Sequence, residues 1–311
     1  MVAQLQFPTP NAQLPTKFQG PRPNCWEAGL GPWELKLGYH RAMRTARILA
    51  ITLCLVAIAP VAWAAEPPAL AKARTLYNSA NYEGAIDAAA VARRQAAWAD
   101  AAALVMARSY LERYRQNADA KDLVAARETF VTIKSSALTP RDQVDLIIGL
   151  AQALYLGELF GAAANLFETA LTRSSLLGAR DRMTLLDWWA TALDREAQSR
   201  PVDRRRVVFE RIGTRMEEEL RQDPGSWVAN YWLAVALRGA GDVEGAWSAA
   251  IAAWVRSTLS PDTTAELRAD LDRLVMQALV PERSRVMAVR DPQEAVTALR
   301  AEWELLKQQW K

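Results

Sequence analysis

The side chains that most often catalyse reactions or bind transition metals are rare in this chain of 311 residues. It contains one histidine, His40, and two cysteines, Cys25 and Cys54, and all three lie within the first 64 residues. Imidazole and thiolate groups are the usual zinc ligands and the usual bases or nucleophiles of hydrolases. If residues 1–64 are removed, any catalysis would depend on carboxylates, lysine, tyrosine or serine. We therefore predict a protein that is not an enzyme and that uses no metal and no cofactor.

A segment with the order of a secretory signal peptide lies at residues 43–64. A basic stretch at 43–47 precedes an apolar block, Pro60 ends that block, and the small residues Ala62 and Ala64 stand where a signal peptidase reads. This order predicts export with cleavage after Ala64, and a periplasmic or secreted location. Residues 48–65 are 18 positions without a charge. That length is close to the ~20 residues of a membrane helix, so an uncleaved anchor is the alternative, and only then would the chain be attached to a membrane.

The 42 residues before this segment lack the pattern of a folded element. They contain six prolines and no periodic spacing of apolar residues, and no methionine occurs between Met1 and Met43. We expect translation to begin at Met43, and we interpret residues 1–42 as a non-native or disordered leader.

Removal of the first 64 residues would change the charge balance of the protein. The chain has 38 basic and 35 acidic residues, of which the first 64 positions hold six and two. The remainder has 32 basic and 33 acidic residues, a net charge of −1. Nucleic-acid binding depends on an excess of lysine and arginine facing the phosphates. The near-neutral balance therefore gives no support for a nucleic-acid partner.

Two charged runs in the remaining chain are weak candidates for chemistry. Glu217, Glu218 and Glu219 are consecutive, so their carboxylates point in different directions around a helix. They do not form the facing pair that general acid–base catalysis needs, and we assign them no catalytic role. The run 204–206 is three arginines near a predicted helix start, where we expect Asp203 to cap the helix and offset the charge. We interpret these arginines as a solvated face, with an anionic partner or lipid surface as the alternative.

Nine tryptophans follow residue 64, and Trp188 and Trp189 are adjacent. Neighbouring helical residues point about 100° apart, so we predict that at most one of this pair lies fully in a core stripe. The other could stack on a sugar or on a partner, although a wedge between neighbouring helices is the simpler interpretation.

The elements that position these residues are predicted to be helices throughout. Alanine is frequent, apolar residues recur at spacings of three and four, and alternating apolar–polar strands are hard to find. Helix breaks are expected at the prolines that interrupt this pattern. These are Pro140, Pro201, Pro224, Pro261, Pro281 and Pro292.

A helix–turn–helix pattern repeats along residues 65–256. In each copy, small residues let two antiparallel helices approach closely, and a bulkier residue at the turn packs against the first helix. The three clearest copies are ARTLYNSANYEGAIDAAAVA (73–92), IIGLAQALYLGELFGAAANLFETAL (147–171) and NYWLAVALRGAGDVEGAWSAAIAAW (230–254).

These copies resemble the tetratricopeptide repeat (TPR), a helix–turn–helix unit of about 34 residues. Two looser units lie at 104–133 and 188–220, with about seven extra residues between the helices of the first and about ten near Pro201 in the second. The resemblance implies an all-α fold in which antiparallel helix pairs stack as a TPR-like α-solenoid over residues 65–256. Residues 257–311 are predicted to form a C-terminal helical extension and cap.

The last helix carries the clearest start signal in the chain. Asp291, Pro292 and Glu294 form a capping arrangement with proline at the first helical position. We predict that this helix covers the exposed end of the solenoid, with docking on a partner as the alternative. Its apolar residues recur at helical spacing and form one stripe: Val296, Leu299, Trp303, Leu306 and Trp310.

In the TPR family, the first helices of the units line a concave groove that usually binds an extended peptide or the surface of another protein. The residues on the matching face of this sequence combine aromatic and charged side chains, which are favoured anchors in peptide recognition. A solvated helix face without a ligand is the alternative. The predicted groove residues are Arg74, Tyr77, Asn78, Arg108, Glu112, Asp145, Gln152, Tyr155, Tyr231 and Arg238.

Composition and resemblance together predict an exported, non-catalytic scaffold of a bacterial cell envelope that binds a partner protein or peptide. Exported TPR proteins commonly serve the assembly of outer-membrane proteins, pili, peptidoglycan or exported polysaccharide, and nothing in the sequence selects among these. Two alternatives stay open. One is a glycan-binding accessory protein that uses exposed tryptophans, and the other is an enzyme with a facing carboxylate pair in the groove.

Overall fold

The structure is a computed structural model that describes residues 66–259, 264–287 and 291–310. Within these ranges the chain is helical and has no β-strand, so the predicted all-α class is confirmed. The leader and signal-peptide predictions concern residues 1–64 and lie outside the described residues. In the described part, no helix combines the length and the apolar character that a membrane span requires.

The helices follow one another through short linkers. Two or three residues separate the members of the pairs α1–α2, α3–α4, α5–α6, α7–α8 and α9–α10, and such linkers make the two helices of a pair antiparallel. The bounds are α1 (Pro68–Asn78), α2 (Tyr82–Ala92), α3 (Ala99–Asn117), α4 (Ala120–Val131), α5 (Pro140–Leu156), α6 (Phe160–Leu171), α7 (Ala179–Ser199), α8 (Val202–Gln222), α9 (Trp227–Gly239), α10 (Val243–Arg256), α11 (Thr264–Leu274), α12 (Val280–Val286) and α13 (Pro292–Gln309).

Side-chain caps and prolines set many of the helix starts. The predicted breaks at Pro140, Pro201, Pro224 and Pro292 are confirmed, since each proline lies at a helix start or between helices, while Pro261 lies outside the described residues. At several helices the N-cap side chain accepts a hydrogen bond from a backbone N–H. These caps are Asn81, Asp119, Thr139, Ser226, Asp242 and Asp291.

The predicted break at Pro281 is wrong. The chain is helical without interruption from Thr264 to Val286, and a π-helical turn at Val275–Leu279 precedes the proline. Proline is tolerated in the first turn of a helix because its missing N–H would have no intrahelical partner there. The change of hydrogen-bond pattern after the π turn makes Pro281 such a first-turn position.

The two looser units differ from their prediction in where the extra residues lie. Only two residues separate α3 from α4, and only two separate α7 from α8. The extra residues instead lengthen the helices, since α3 has 19 residues and α7 and α8 have 21 each. Neither α3 nor α7 contains a glycine or a proline, so nothing in their sequences ends the helix sooner.

Helices that are adjacent in the chain pack against each other, and the odd-numbered helices also meet on one side. Helix α3 contacts both α1 and α5, and α9 contacts both α7 and α11. Fully buried alanines such as Ala85, Ala107 and Ala163 lie between the helices. Their small side chains permit the close helix approach that the sequence pattern predicted.

Trp188 and Trp189 are both buried, at 7% and 1% exposure, so the prediction that at most one lies in the core is wrong. The Trp188 ring meets Tyr155 of α5 edge-on at 5.0 Å and tilts against Phe167 of α6 at 5.8 Å. Helix α7 is covered by both α6 and α8. Its buried arc is therefore wide enough to include two neighbouring positions.

The C-terminal helix α13 begins as predicted, with Asp291 accepting a hydrogen bond from the first turn. Leu299 and Trp303 of its stripe are buried against the same apolar cluster as Trp254 of α10. Trp310 differs from its prediction, because its side chain is 48% exposed just beyond the helix end. Its carbonyl oxygen instead accepts hydrogen bonds, one of them from the indole N–H of Trp254.

The charged runs lie on α8. The prediction that Asp203 caps this helix is wrong, because the helix begins at Val202 and an N-cap residue must precede the first helical residue.

Arg206 is exposed and pairs with Glu210 one turn later. Of the three consecutive glutamates, Glu219 is buried and pairs with Arg182 of α7, which gives it a structural contact between helices.

Candidate functional site

A pocket lies on the side formed by the odd-numbered helices, at the N-terminal end of the described chain. Helices α1, α3, α5 and α7 all contribute to it, and its open space is about 80 Å³. We call it the N-terminal pocket. Its lining includes five of the ten predicted groove residues and consists of Arg74, Tyr77, Asn78, Leu104, Val105, Arg108, Arg141, Asp142, Asp145 and Asp181.

The helix face is concave here, because Arg74 of α1 reaches Asp142 of α5 across α3. The Nη2 atom of Arg74 lies 3.3 Å from each carboxylate oxygen of Asp142. Packed helices lie about 8–10 Å apart, so two helices separated by a third would be about twice as far apart in a flat layer. An arginine and an aspartate side chain do not span that distance. The ion pair therefore requires the face to curve inward.

Arg108 contacts both α1 and α5 through its guanidinium group. Its Cζ atom lies 5.0 Å from the centroid of the Tyr77 ring, a cation–π contact, and its Nη1 atom lies 3.5 Å from the Asp145 carboxylate. The Nε atom of Arg108 is buried and has no hydrogen-bond partner among the described residues. Burial raises the pKa of Tyr77 above its usual range, so its hydroxyl stays protonated at neutral pH and can donate a hydrogen bond.

Arg141 joins α5 to α7 at the edge of the same pocket. Its Nε atom lies 3.3 Å from Asp145, and its Nη2 atom donates to Asp181 at 2.8 Å. With Arg74 on Asp142, each aspartate of the N-terminal pocket has an arginine beside it. The three arginines and three aspartates of the pocket are therefore paired with one another. The enzyme alternative instead requires two facing carboxylates that are free to exchange protons with a substrate.

A second group of polar side chains lies farther along the same helices. Asp187 of α7 accepts a hydrogen bond from the indole nitrogen of Trp232 on α9, with 2.7 Å between Oδ1 and Nε1. Asp194 of α7 and Asp270 of α11 act with Asp187 on the neighbouring Tyr231 of α9. We call these five residues the Asp187 cluster.

Burial changes the proton affinity of the Asp187 cluster. It raises the pKa of Asp187 to about 6, opposed by the Trp232 hydrogen bond and reinforced by the charge of Asp270. Burial also raises the pKa of Asp194. For Tyr231, burial and the three carboxylates together raise the pKa to about 12, so its hydroxyl is a donor at neutral pH. With a pKa of about 6, Asp187 changes charge between pH 5 and pH 7.

Three further predicted groove residues lie outside the N-terminal pocket. Glu112 pairs with Arg115 one turn later on α3, at 2.7 Å. Gln152 is buried at 8% exposure. Tyr155 packs edge-on against Trp188. Glu112 therefore makes a contact within its helix and Tyr155 makes one between helices.

The last two predicted residues lie on α9. Tyr231 belongs to the Asp187 cluster. Arg238 donates two hydrogen bonds to the carboxylate of Glu282 on α12, at 2.9 and 2.6 Å. Of the ten predicted groove residues, five therefore line the N-terminal pocket, Tyr231 belongs to the Asp187 cluster and the other four lie in neither region.

Sequence reasoning missed several charged residues of both regions. Arg141 precedes the predicted Asp145 by four residues, so helical spacing could have added it to the same face. Asp187 and Asp194 are seven residues apart and share a face of α7, but the looser repeat there did not align well enough to assign groove positions. The missed residues are Arg141, Asp142, Asp181, Asp187, Asp194, Asp270 and Glu282.

Within the described residues, no group of three or more histidine, cysteine, aspartate or glutamate side chains is arranged to hold a metal ion. Comparison of the chain with protein-family models, with curated proteins and with solved structures finds no match in any of the three. The fold and the two polar regions are therefore the features from which a function can be inferred.

Proposed function

We propose that this chain is an exported, non-catalytic TPR-like scaffold that binds an extended segment of a partner protein across its odd-numbered helices. Residues 43–64 direct its export to the cell envelope and are removed. The helix pairs of residues 65–256 stack as an α-solenoid, and the C-terminal helices cover its last pair.

The observation that carries this proposal is the N-terminal pocket. Four helices that are distant in sequence bring their side chains together on one concave face. Tyr77 and Asn78 offer polar groups to a polypeptide main chain, and the arginine–aspartate pairs offer both donors and acceptors to its side chains. An open, curved face of this kind suits an extended segment.

The alternative of a glycan-binding protein has less support. It relied on an indole of Trp188 or Trp189 that is free to stack on a sugar, and both indoles are buried. The alternative of a carboxylate-based enzyme also has less support, because arginines accompany the aspartates of the N-terminal pocket.

Site-specific photocrosslinking tests the proposal. The processed chain would contain no cysteine, so a single introduced cysteine can carry a photoactivatable label. We expect a labelled Asn78→Cys variant, whose label lies in the N-terminal pocket, to crosslink one partner polypeptide from the native cell envelope. Excess unlabelled protein should abolish that product.

The matched control is Glu128→Cys on α4, an exposed position on an even-numbered helix. It should not give the competed product. Identical product patterns from the two positions, or products that resist competition, would contradict binding on the concave face.

A further inference from the structure

The contact between Asp187 and Trp232 joins a carboxylate to a neutral hydrogen-bond donor between two packed helices. Asp187 is half-buried on α7, and Trp232 is only 7% exposed on α9. The hydrogen-bond donor to Asp187 is the neutral indole N–H, and no lysine or arginine of the described residues forms an ion pair with it. A carboxylate that loses water without gaining a cation favours its neutral form.

The charged groups around this contact do not supply the missing cation. Asp194 and Asp270, from α7 and α11, repel the charged form of Asp187 or its neighbour Tyr231. Two nearby arginines are already engaged, since Arg238 of α9 binds Glu282 and Arg273 of α11 binds Asp270. Arg195 of α7 acts on Asp194 and on Tyr155 rather than on Asp187.

The other helices packed on α7 direct their charges elsewhere. Helix α8 contributes Arg215 and Glu219, and Glu219 pairs with both Arg215 and Arg182. Glu168 of α6 pairs with Arg211 of α8. From α5, Tyr155 brings a neutral phenol, with a pKa raised chiefly by burial.

We propose that Asp187 is a proton-sensitive latch between α7 and α9, which holds the two helices together more firmly when its carboxyl group is neutral than when it is charged. One proton from solvent binds Asp187, and the repulsion from Asp270 is removed. Any opened arrangement returns the carboxyl group to water, where its pKa is about 3.9.

The direction of the pH effect on the closed arrangement follows from the difference between the two pKa values of Asp187. The closed arrangement has the higher pKa, about 6 for Asp187, so it binds the proton more tightly than the opened one. The added stability is fully present below pH ~4 and is lost as the pH rises through about 6. Between pH 7.5 and pH 5, one such group changes the ratio of closed to opened forms about tenfold.

The latch also bears on the proposed function, because α7 and α9 form part of the face proposed to bind a partner. If that face must bend to admit a segment, acidification would weaken binding. This consequence rests on the proposed function, whereas the latch itself can be measured on the free protein.

Hydrogen exchange of the full chain, corrected for the intrinsic pH dependence of exchange, tests the latch. We expect protection of peptides from α7 and α9 to rise about tenfold from pH 7.5 to pH 5 in the wild type, as the linkage requires. An Asp187→Asn variant keeps a neutral acceptor for Trp232, so its protection should already be high at pH 7.5 and should not rise further. Equal pH dependence in wild type and Asp187→Asn would overturn the latch.

Two further variants keep the test decisive. Asp203→Asn, at an exposed position on α8, should behave as the wild type. Trp232→Phe removes the hydrogen bond that favours the charged form, so the midpoint of the transition should move to higher pH. A midpoint that moves to lower pH would also overturn the proposal. Both results are measured on the free protein and do not depend on whether it binds a partner. A negative result for the latch would therefore leave the proposed scaffold function unaffected, and a failure to find a partner would leave the latch unaffected.

Discussion

Arg74 and Asp142 are 68 residues apart in the sequence, and the Nη2 atom of Arg74 lies 3.3 Å from each carboxylate oxygen of Asp142. The same carboxylate accepts a hydrogen bond from the hydroxyl of Thr139, the N-cap residue of α5. One aspartate therefore stabilises the local start of α5 and its long-range position relative to α1. The contact couples the first and third helix pairs and shapes the N-terminal pocket.

Removal of this contact should destabilise the protein. We expect Arg74→Ala to lower the free energy of unfolding by about 2–3 kcal/mol, because Asp142 is left buried without its cation. Arg206→Ala is the control, since Arg206 and its partner Glu210 are both exposed, and its effect should stay below about 1 kcal/mol. Urea denaturation of both variants measures the difference, and equal effects would show that the long-range pair contributes no more than a surface pair.

Two helical glycines should respond in opposite directions to alanine. A Cβ atom at Gly239 would lie 2.4 Å from the Phe209 ring, whereas the nearest atom at Gly213 would be 3.8 Å away. We expect Gly213→Ala to leave stability unchanged or raise it by up to about 1 kcal/mol through helix propensity. Gly239→Ala should lower stability by about 1–3 kcal/mol because of the overlap. Thermal unfolding of the pair checks this order, and a more stable Gly239→Ala variant would contradict the packing of α8 on α9.

The adjacent tryptophans should behave as core residues. We expect Trp188→Ala and Trp189→Ala each to lower the free energy of unfolding by about 3–5 kcal/mol, because each removes a large buried ring. Trp310→Ala, with a half-exposed side chain, should cost less than about 1 kcal/mol. Denaturant titration gives the three values, and a small loss at both Trp188 and Trp189 would reopen a ligand-binding role for this pair.

The attachment of α13 should weaken in acid. Asp272 accepts hydrogen bonds from Lys307 and from the indole of Trp303. Burial acts to raise the pKa of Asp272, but these two hydrogen bonds and the charge of Lys307 together outweigh it, so the pKa is lowered. The contribution to stability is therefore present above the carboxyl's ordinary pKa of about 3.9 and is lost as the pH falls through the lower folded value.

Hydrogen exchange of α13 peptides between pH 5 and pH 2.5 measures this loss, with correction for intrinsic exchange rates. The Asp272→Asn variant should show a weaker attachment at pH 5 and a smaller change on acidification. An unchanged pH profile in the variant would show that another group holds the helix.

The proposed export predicts which residue is the N-terminus of the native protein. If translation begins at Met43 and the signal peptide is removed after Ala64, the native protein should begin at Ala65. Intact mass and N-terminal sequencing of the protein from its own cells measure this directly. Peptides from residues 1–42 in that product would contradict the start at Met43, and an N-terminus at Met43 itself would indicate a retained anchor.

Half of the N-terminal pocket lining was predicted from the repeat pattern. Arg74, Tyr77 and Asn78 follow from the first unit, and Arg108 and Asp145 from the helices after it, and all five line the N-terminal pocket. Their partners Arg141, Asp142 and Asp181 could not be assigned in the same way. The sequence pattern identifies which face a residue occupies on its own helix but not which side chains of other helices reach it.

The sequence by itself determined the helical class, most of the helix starts and the absence of His and Cys after residue 64. These properties depend on composition, on helical spacing and on caps and prolines, which act within a few residues of chain. Only the tertiary structure decided that Trp188 and Trp189 are both buried, because that depends on helices packing on two sides of α7. It also decided that Asp187 meets Trp232 rather than a cation, since that contact joins residues 45 positions apart. Side chains so distant in sequence meet only when several helix interfaces form together, and no local pattern specifies that geometry.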